Sequence, residues 1–200
     1  MFARIFITIL VVLLCATSLP AQNLVQNGDF ESPWTDTIYC VGPGEQLDSW
    51  TVSGDSVDVL GNYWQPAHGR QSIDLNGNQP GGVFQYISAL NGALYNLSFA
   101  VAANPESSSV KIMEVWWGDS RLDTLSLDPV GHSVTDMGWA YYHYCVVGSG
   151  NDRLAFVSTG PAGCFGPALD DVSVVAPEPC SLFVLAGSVG SFGLFIRRRR

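Results

Sequence analysis

Basic residues are scarce in this sequence. The chain has nine Lys and Arg residues against 18 Asp and Glu, and five of the nine are Arg4 and the C-terminal run 197–200. When the two ends are set aside, residues 22–176 hold 17 acids and four bases, a net charge of −13. A surface this acidic repels phosphate backbones, so the composition argues against nucleic acid as a partner.

Residues for common catalytic chemistry are also few. The chain has three histidines and contains neither a GxSxG nor an HExxH motif. A glycosidase needs two carboxyls across a cleft, and Glu114, beside Trp116 on one strand face, is the best candidate acid. Most other acids are Asp in turn sequences, where capping and solvation explain them. We therefore predict a protein that is not an enzyme.

Long apolar runs are found only at the two ends. Residues 1–21 have Arg4, then an apolar run over 5–16, then small and polar residues up to Ala21. This order predicts a secretory signal peptide with cleavage near Ala21, or after Ser18, where small residues also fit. An uncleaved membrane anchor is the alternative, although the run is short for a span.

The C-terminal segment 177–200 has three parts in order. They are Pro177-Glu178-Pro179, an apolar stretch over 180–196, and four arginines, Arg197, Arg198, Arg199 and Arg200. At a rise of ~1.5 Å per residue the stretch covers about 25 Å, and arginine side chains extend it toward the ~30 Å of a bilayer core. The positive charge stays on the cytoplasmic side, which places the acidic body, residues 22–176, outside the cytoplasmic membrane.

This arrangement resembles the PEP-CTERM sorting signal of Gram-negative bacteria. The resemblance implies recognition by an exosortase and removal or transfer of the tail, in species that make exopolysaccharide. The expected location is therefore the cell surface or extracellular matrix. An ordinary single-span anchor is the alternative.

No ten-residue segment between the ends shows an uninterrupted helical period. Short runs rich in Val, Ile, Phe, Tyr and Trp are instead separated by Gly, Pro, Asn and Asp clusters, which predicts strands. In the 110–117 run, alternation puts Met113, Val115 and Trp117 on one face. We predict an all-β jelly-roll β-sandwich over residues 22–176, with strands near 24–31, 47–53, 56–60, 72–75, 83–88, 94–102, 110–117, 139–147, 153–158 and 168–175.

The body also resembles a known family. Residues 23–31 (NLVQNGDFE) are similar to the opening strand of many jelly-roll carbohydrate-binding modules. The segments 50–64, 69–77 and 166–174 match the choice-of-anchor C family, which is related to a plant cell-wall domain of unknown function. The resemblance implies a galactose-binding-like jelly roll that is non-catalytic and associated with extracellular polysaccharide.

Three cysteines remain once Cys15 and Cys180 are assigned to the ends. In a jelly roll the first and last strands usually pair, which would put Cys40 and Cys164 at one end of the sandwich. An exported location permits a disulfide, so we favour Cys40–Cys164 and leave Cys145–Cys164 as the alternative.

Related modules often hold a structural calcium where the terminal strands meet. Glu31, Asp170 and Asp171 lie on those predicted strands and supply the hard oxygen ligands that Ca²⁺ prefers. The alternative is an Asx-turn cap at Asp170 and a solvated Glu31.

The aromatic residues suggest a ligand site. A sugar site needs an exposed aromatic platform and a few polar groups. Tyr63 and Trp64 lie in a loop between Gly61 and Gly69, just before Arg70. We predict that these three residues and Trp116 contact a polysaccharide, with loop packing as the alternative for Tyr63 and Trp64. The competing function is that of a structural surface protein whose β-sandwich contacts other proteins.

Overall fold

A computed structural model of the chain describes residues 22–177, which form two six-stranded sheets. In spatial order, sheet A contains β1 (Ile38–Val41), β4 (Val57–Gly61), β5 (Gln71–Asp74), β12 (Pro167–Val175), β7 (Leu94–Ala103) and β10 (Ala140–Val147). Sheet B contains β2 (Gln46–Leu47), β3 (Trp50–Gly54), β6 (Gly81–Ile87), β11 (Asp152–Ser158), β8 (Lys111–Trp117) and β9 (Ser120–Leu127). Neighbouring strands are antiparallel throughout both sheets. The predicted all-β jelly-roll sandwich is confirmed.

The core lies between the two sheets and follows the alternation of the strands. On β8, Met113, Val115 and Trp117 are buried while Glu114 and Trp116 point outward, as the sequence predicts. Aromatic rings fill the centre, where Phe99 and Phe156 meet edge to face with centroids 4.8 Å apart. This packing fixes which side chains of each strand reach the surface.

A second, smaller core covers part of the outer face of sheet A. Leu60, Ala102 and Ala168 point away from the main core, and Trp64 and Met137 pack on them. The loops 62–70 and 128–139 bring these two residues there and join each other through the backbone hydrogen bond from Gln65 N to Val134 O, 2.8 Å long. The 62–70 loop therefore lies against sheet A.

The N-terminal segment departs from the prediction. Residues 24–31 form no regular strand, although Leu24 N donates to Val174 O and Val172 N donates to Gly28 O, each at 2.8 Å. The segment thus follows β12 without a continuous ladder. Three strands were also missed. β1 is only four residues long, β9 is interrupted by polar residues, and the predicted 47–53 strand is in fact the two-residue β2 and β3, joined by a turn.

A buried polar cluster lies at one end of sheet A around Asp74. Its carboxylate accepts hydrogen bonds from Asn104 Nδ2 at 2.8 Å, Asn76 N at 2.8 Å and Gly166 N at 3.0 Å. Burial nevertheless outweighs these donors and raises the pKa of Asp74 to about 7, from 3.8.

The predicted signal peptide and most of the predicted sorting segment, including Glu178, Pro179 and Arg197 to Arg200, lie outside the described residues. Within residues 22–177, no helix is long and apolar enough to cross a membrane.

Candidate functional site

The outer face of sheet B combines aromatic and polar side chains. Alternation along β3, β6, β11 and β8 points one residue in two away from the core. The register aligns Thr51 with Phe84, Phe84 with Ala155, and Ala155 with Trp116. Phe84 and Trp116 therefore lie on either side of the small residue Ala155. Their strands are two strand spacings, about 10 Å, apart across the sheet.

Phe84 and Tyr86 form one side of this face. Their rings meet edge to face with centroids 5.9 Å apart, and Tyr86 is 58% exposed. The guanidinium of Arg153 lies over Phe84, with its central carbon 4.2 Å from the ring centroid. Such a cation–π contact fixes the plane of the guanidinium without using its hydrogen-bond donors.

Trp116 forms the other side and is held by polar contacts. Its indole Nε1 donates to Glu114 Oε2 at 3.0 Å, and Arg121 Nη1 donates to Glu114 Oε1 at 2.6 Å. Both oxygens of Glu114 are thus engaged within the protein. This residue was the candidate acid of a glycosidase, and in this structure it positions Trp116 and Arg121.

Two open clefts flank the Phe84–Tyr86 pair. One has a volume of about 500 Å³ and is lined by both rings together with amide and hydroxyl side chains, including Gln26, Ser49 and Thr51. The other, about 370 Å³, lies between Trp116 and Arg153. Aromatic walls with convergent polar groups are the usual lining of a small-molecule or sugar site.

The prediction that Trp64 contacts a ligand is wrong. Trp64 is only 4% exposed, and its Nε1 donates to Ser72 Oγ at 2.7 Å. The loop folds back on sheet A because Asp170 Oδ2 accepts hydrogen bonds from Ala67 N and His68 N, both at 2.9 Å. Trp64 is therefore a core residue of the smaller cluster, which was the stated alternative.

Tyr63 and Arg70 remain exposed, but not beside Trp116. Tyr63 is 39% exposed and its hydroxyl donates to Glu106 Oε1 at 2.6 Å. Arg70 lies over the half-exposed ring of Trp34, 4.1 Å from its centroid. These residues flank the loop that lies on sheet A, whereas Trp116 lies on sheet B. A ligand role for Tyr63 and Arg70 stays a prediction.

The three predicted calcium ligands are already used as hydrogen-bond acceptors. Glu31 Oε1 accepts from Arg70 N at 2.6 Å and Gln71 N at 2.9 Å, and Asp171 Oδ2 accepts from Tyr141 OH at 2.9 Å. Within residues 22–177, no group of three or more His, Cys, Asp or Glu side chains comes together as a metal site. The residues present do not form one coordination sphere, and calcium stays an untested prediction.

The pKa of Asp170 is shifted, because its carboxyl is buried under the 62–70 loop. Burial, with a smaller contribution from the neighbouring Asp171, raises the pKa of Asp170 to about 7, from 3.8. The backbone donors of His68, Asp171 and Ala67 act in the opposite direction. Glu31 and Asp170 thus anchor the loop through its backbone.

The predicted Cys40–Cys164 disulfide is absent, because Cys40, Cys145 and Cys164 are all free and exposed. Cys164 lies in the loop before β12 (Pro167–Val175). Cys40 and this loop both lie against the turn over 76–79, since Asn78 Nδ2 lies 3.7 Å from Cys40 Sγ and Asn76 Nδ2 donates to Gly163 O at 2.8 Å. The two cysteines thus share one end of the sandwich, as predicted, but no bond joins them in this structure.

Phe84, Tyr86 and Arg153 were missed by sequence reasoning. A signal was available, since alternation within the predicted 83–88 strand already separates Phe84 and Tyr86 from Val83. What the sequence does not show is that β11 pairs with both β6 and β8, which brings Arg153 and Trp116 to this face.

Comparison with known proteins places the chain in a family. The profile described as "Protein of unknown function (DUF642)" matches residues 23–175. The chain belongs to the DUF642 family. Halomucin of Haloquadratum walsbyi is similar to this DUF642 chain, with 29% identity over 168 residues. That match covers 80% of this chain and 2% of halomucin.

Solved structures share the fold of this DUF642 domain. TmCBM61 in complex with beta-1,4-galactotriose superposes with a TM-score of 0.53 at 16% identity, covering 78% of this chain and 100% of that one. The CBM22-1 xylan-binding domain of Paenibacillus barcinonensis Xyn10C has a TM-score of 0.50 at 17% identity, covering 79% and 96%. The arabinose-bound MgGH51 α-L-arabinofuranosidase has a TM-score of 0.50 at 13% identity, covering 78% and 26%. These similarities show a shared jelly-roll β-sandwich fold.

Proposed function

We propose that this protein is an exported, non-catalytic carbohydrate-binding protein of the cell envelope or exopolysaccharide matrix. The polysaccharide binds to the outer face of sheet B, where Trp116 from the predicted site joins Phe84 and Tyr86. Sugars present flat C–H faces to aromatic rings and hydroxyls to polar groups, and this face offers both.

The observation that carries the proposal is the pair of clefts on either side of Phe84 and Tyr86. Their volumes of about 500 Å³ and 370 Å³ are in the range of ligand pockets, and their linings mix aromatic, amide and charged side chains. Of the proteins with the same fold, TmCBM61 was solved in complex with galactotriose and the CBM22-1 domain is xylan-binding, which supports carbohydrate as the ligand class for this chain.

Export and surface attachment complete the proposal. The signal peptide over 1–21 directs the chain across the inner membrane. An exosortase then recognises the PEP-CTERM segment over 177–200 and removes or transfers the tail. This organisation agrees with the resemblance to choice-of-anchor C proteins. The acidic body then lies among polysaccharides outside the cytoplasmic membrane.

Screening the full-length chain, in mild non-ionic detergent, against a polysaccharide array tests the proposal. We expect saturable binding to at least one glycan, and loss of that binding for Trp116→Ala. The competing function of a structural surface protein predicts no glycan binding at all. An array without saturable signal, obtained with folded protein, would therefore reject carbohydrate binding.

A further inference from the structure

We propose that the polysaccharide bound on the outer face of sheet B carries carboxylates, and that Arg153 recognises them. This inference rests on the proposed carbohydrate-binding function and names its ligand class: a linear polymer that contains uronic acids. It depends on the position of Arg153, on its lack of an ionic partner, and on the clefts beside it.

Arg153 is the second residue of β11, a central strand of sheet B. Its strand β11 is bordered by β6 and β8, and the register places Arg153 opposite Tyr86. Its side chain points to the outer face and leans over Phe84. A cation beside the aromatic rings of this face is well placed to meet a ligand that covers them.

The guanidinium of Arg153 has no carboxylate partner within residues 22–177. The two ion pairs found in that range join Arg70 to Glu31 and Arg121 to Glu114. Arg153 also donates no side-chain hydrogen bond to the described part of the chain, and its contact with Phe84 leaves all five N–H donors available. The net charge of −13 over residues 22–176 repels any polyanion at long range, but at physiological salt this repulsion is screened beyond about 8 Å. At contact the local charge decides, and Arg153 is a cation that no acid of the described residues neutralises.

The nearest carboxylate candidate is occupied by other donors. Glu114 lines the same cleft as Arg153, but its two oxygens accept from Arg121 and from Trp116. Asp119, the other acid of the cleft lining, lies in the exposed turn between β8 and β9. Neither acid of this cleft lining forms an ion pair with Arg153, so its guanidinium stays available to a ligand in the cleft.

The geometry of this group suits a carboxylate. The five N–H groups of a guanidinium lie in one plane and point outward from its edge. Planar paired donors match the two oxygens of a carboxylate, and such charge-assisted pairs are stronger than neutral hydrogen bonds. A uronic acid offers a carboxylate and a ring face together, for Arg153 and Trp116 respectively.

The two clefts indicate a polymer as the ligand. They lie on opposite sides of the Phe84–Tyr86 pair, one toward β3 and the other toward β8. A chain that crosses the strands enters both clefts, and it carries successive carboxylates past Arg153. A free monosaccharide would fill only one of them.

The test compares alginate with carboxyl-reduced alginate, the same polymer without its charge. Binding to the full-length chain is measured by biolayer interferometry, in EDTA and at about 0.15 M salt, where long-range charge effects are screened. We expect alginate to bind about tenfold more tightly than its reduced form, in line with one added charge-assisted pair. Arg153→Gln should remove this difference.

Two further variants separate recognition from net charge and from misfolding. Asn96→Asp makes the same change in net charge on the exposed side of sheet A, and it should preserve the preference for alginate. Arg153→Lys keeps the charge but loses the planar donors, so it should lose most of the preference while melting like the parent.

The outcomes distinguish the two proposals. Equal binding of both polymers, or equal effects of Arg153→Gln and Asn96→Asp, would overturn uronate recognition while carbohydrate binding stands. Absence of binding to either polymer and to every neutral glycan would overturn both.

Discussion

The indole Nε1 of Trp64 donates a 2.7 Å hydrogen bond to the Oγ of Ser72, and both residues are buried on the outer side of sheet A. The contact ties the loop that follows β4 to the strand β5. The smaller core that results is part of the fold, and its residues are expected to control stability.

The first prediction follows from this contact. Trp64→Ala should reduce the free energy of unfolding by about 3–5 kcal/mol, because it opens a cavity and leaves Ser72 without its donor. Tyr63→Ala, at the exposed neighbouring position, should cost about 1 kcal/mol or less. Chemical denaturation measures both values. A Trp64→Ala protein as stable as its parent would show that the loop does not pack on sheet A.

The second prediction concerns pH. Burial raises the folded-state pKa of Asp74 and Asp170 to about 7, while an unfolded chain has the ordinary value of 3.8. Between these two values the folded state binds more protons than the unfolded state. The stability contributed by these groups is therefore fully present below about pH 3.8 and is lost as the pH rises through 7.

Melting temperatures between pH 5 and pH 8 measure this effect. We expect the melting temperature to fall over that range, and Asp74→Asn to make the decline shallower. Asp36→Asn, which changes an exposed carboxylate, is the matched control and should leave the decline as it is. A parent protein that becomes more stable from pH 5 to pH 8 would contradict the assignment.

Much of the fold was predictable because alternation is a local signal. The buried face of β8 and the apolar sequence of β7 can be recognised from each strand alone, without knowledge of the strands that pair with it. The short β1 and the polar β9 give weak local patterns, and only their partners β4 and β8 make them strands.

The site was less predictable because it depends on contacts between distant parts of the chain. The sequence around Trp64 has the Gly and Pro residues of an exposed loop. Nothing in it reveals that Asp170 accepts a hydrogen bond from the backbone of His68, 102 residues earlier in the chain, and so holds the loop on sheet A. In the same way, Arg153 and Trp116 come to one face only through the pairing of β11 with β8.

The third prediction concerns the carboxylate of Glu31. It anchors the backbone at Arg70 and Gln71, so Glu31→Gln should lower the melting temperature equally with calcium and with EDTA. If calcium instead binds here, EDTA lowers the melting temperature of the parent and has no effect on Glu31→Gln, since a ligand stabilises only the state that binds it. Differential scanning calorimetry in both buffers distinguishes the two outcomes.

The fourth prediction concerns sorting. Pro177-Glu178-Pro179 precedes an apolar stretch and four arginines, the order expected of an exosortase substrate. Intact mass spectrometry of the protein from its native host should show that the C-terminal arginines have been removed. Full-length chains in a host with an active exosortase would reject the assignment and favour a simple membrane anchor.

The last prediction concerns Trp116, the one residue shared by the predicted site and the proposed surface. Its ring lies beside the cleft that contains Arg153, and its indole is oriented by Glu114. Truncation of an aromatic anchor typically costs ~2 kcal/mol of binding or more, so Trp116→Ala should weaken glycan binding about thirtyfold. Because Trp116 points away from the main core, the melting temperature should change by only a few degrees. Tyr141→Ala, at a half-exposed aromatic on the outer side of sheet A, is the matched control and should bind as the parent does. If Tyr141→Ala loses binding and Trp116→Ala keeps it, the ligand lies on sheet A, away from the two clefts.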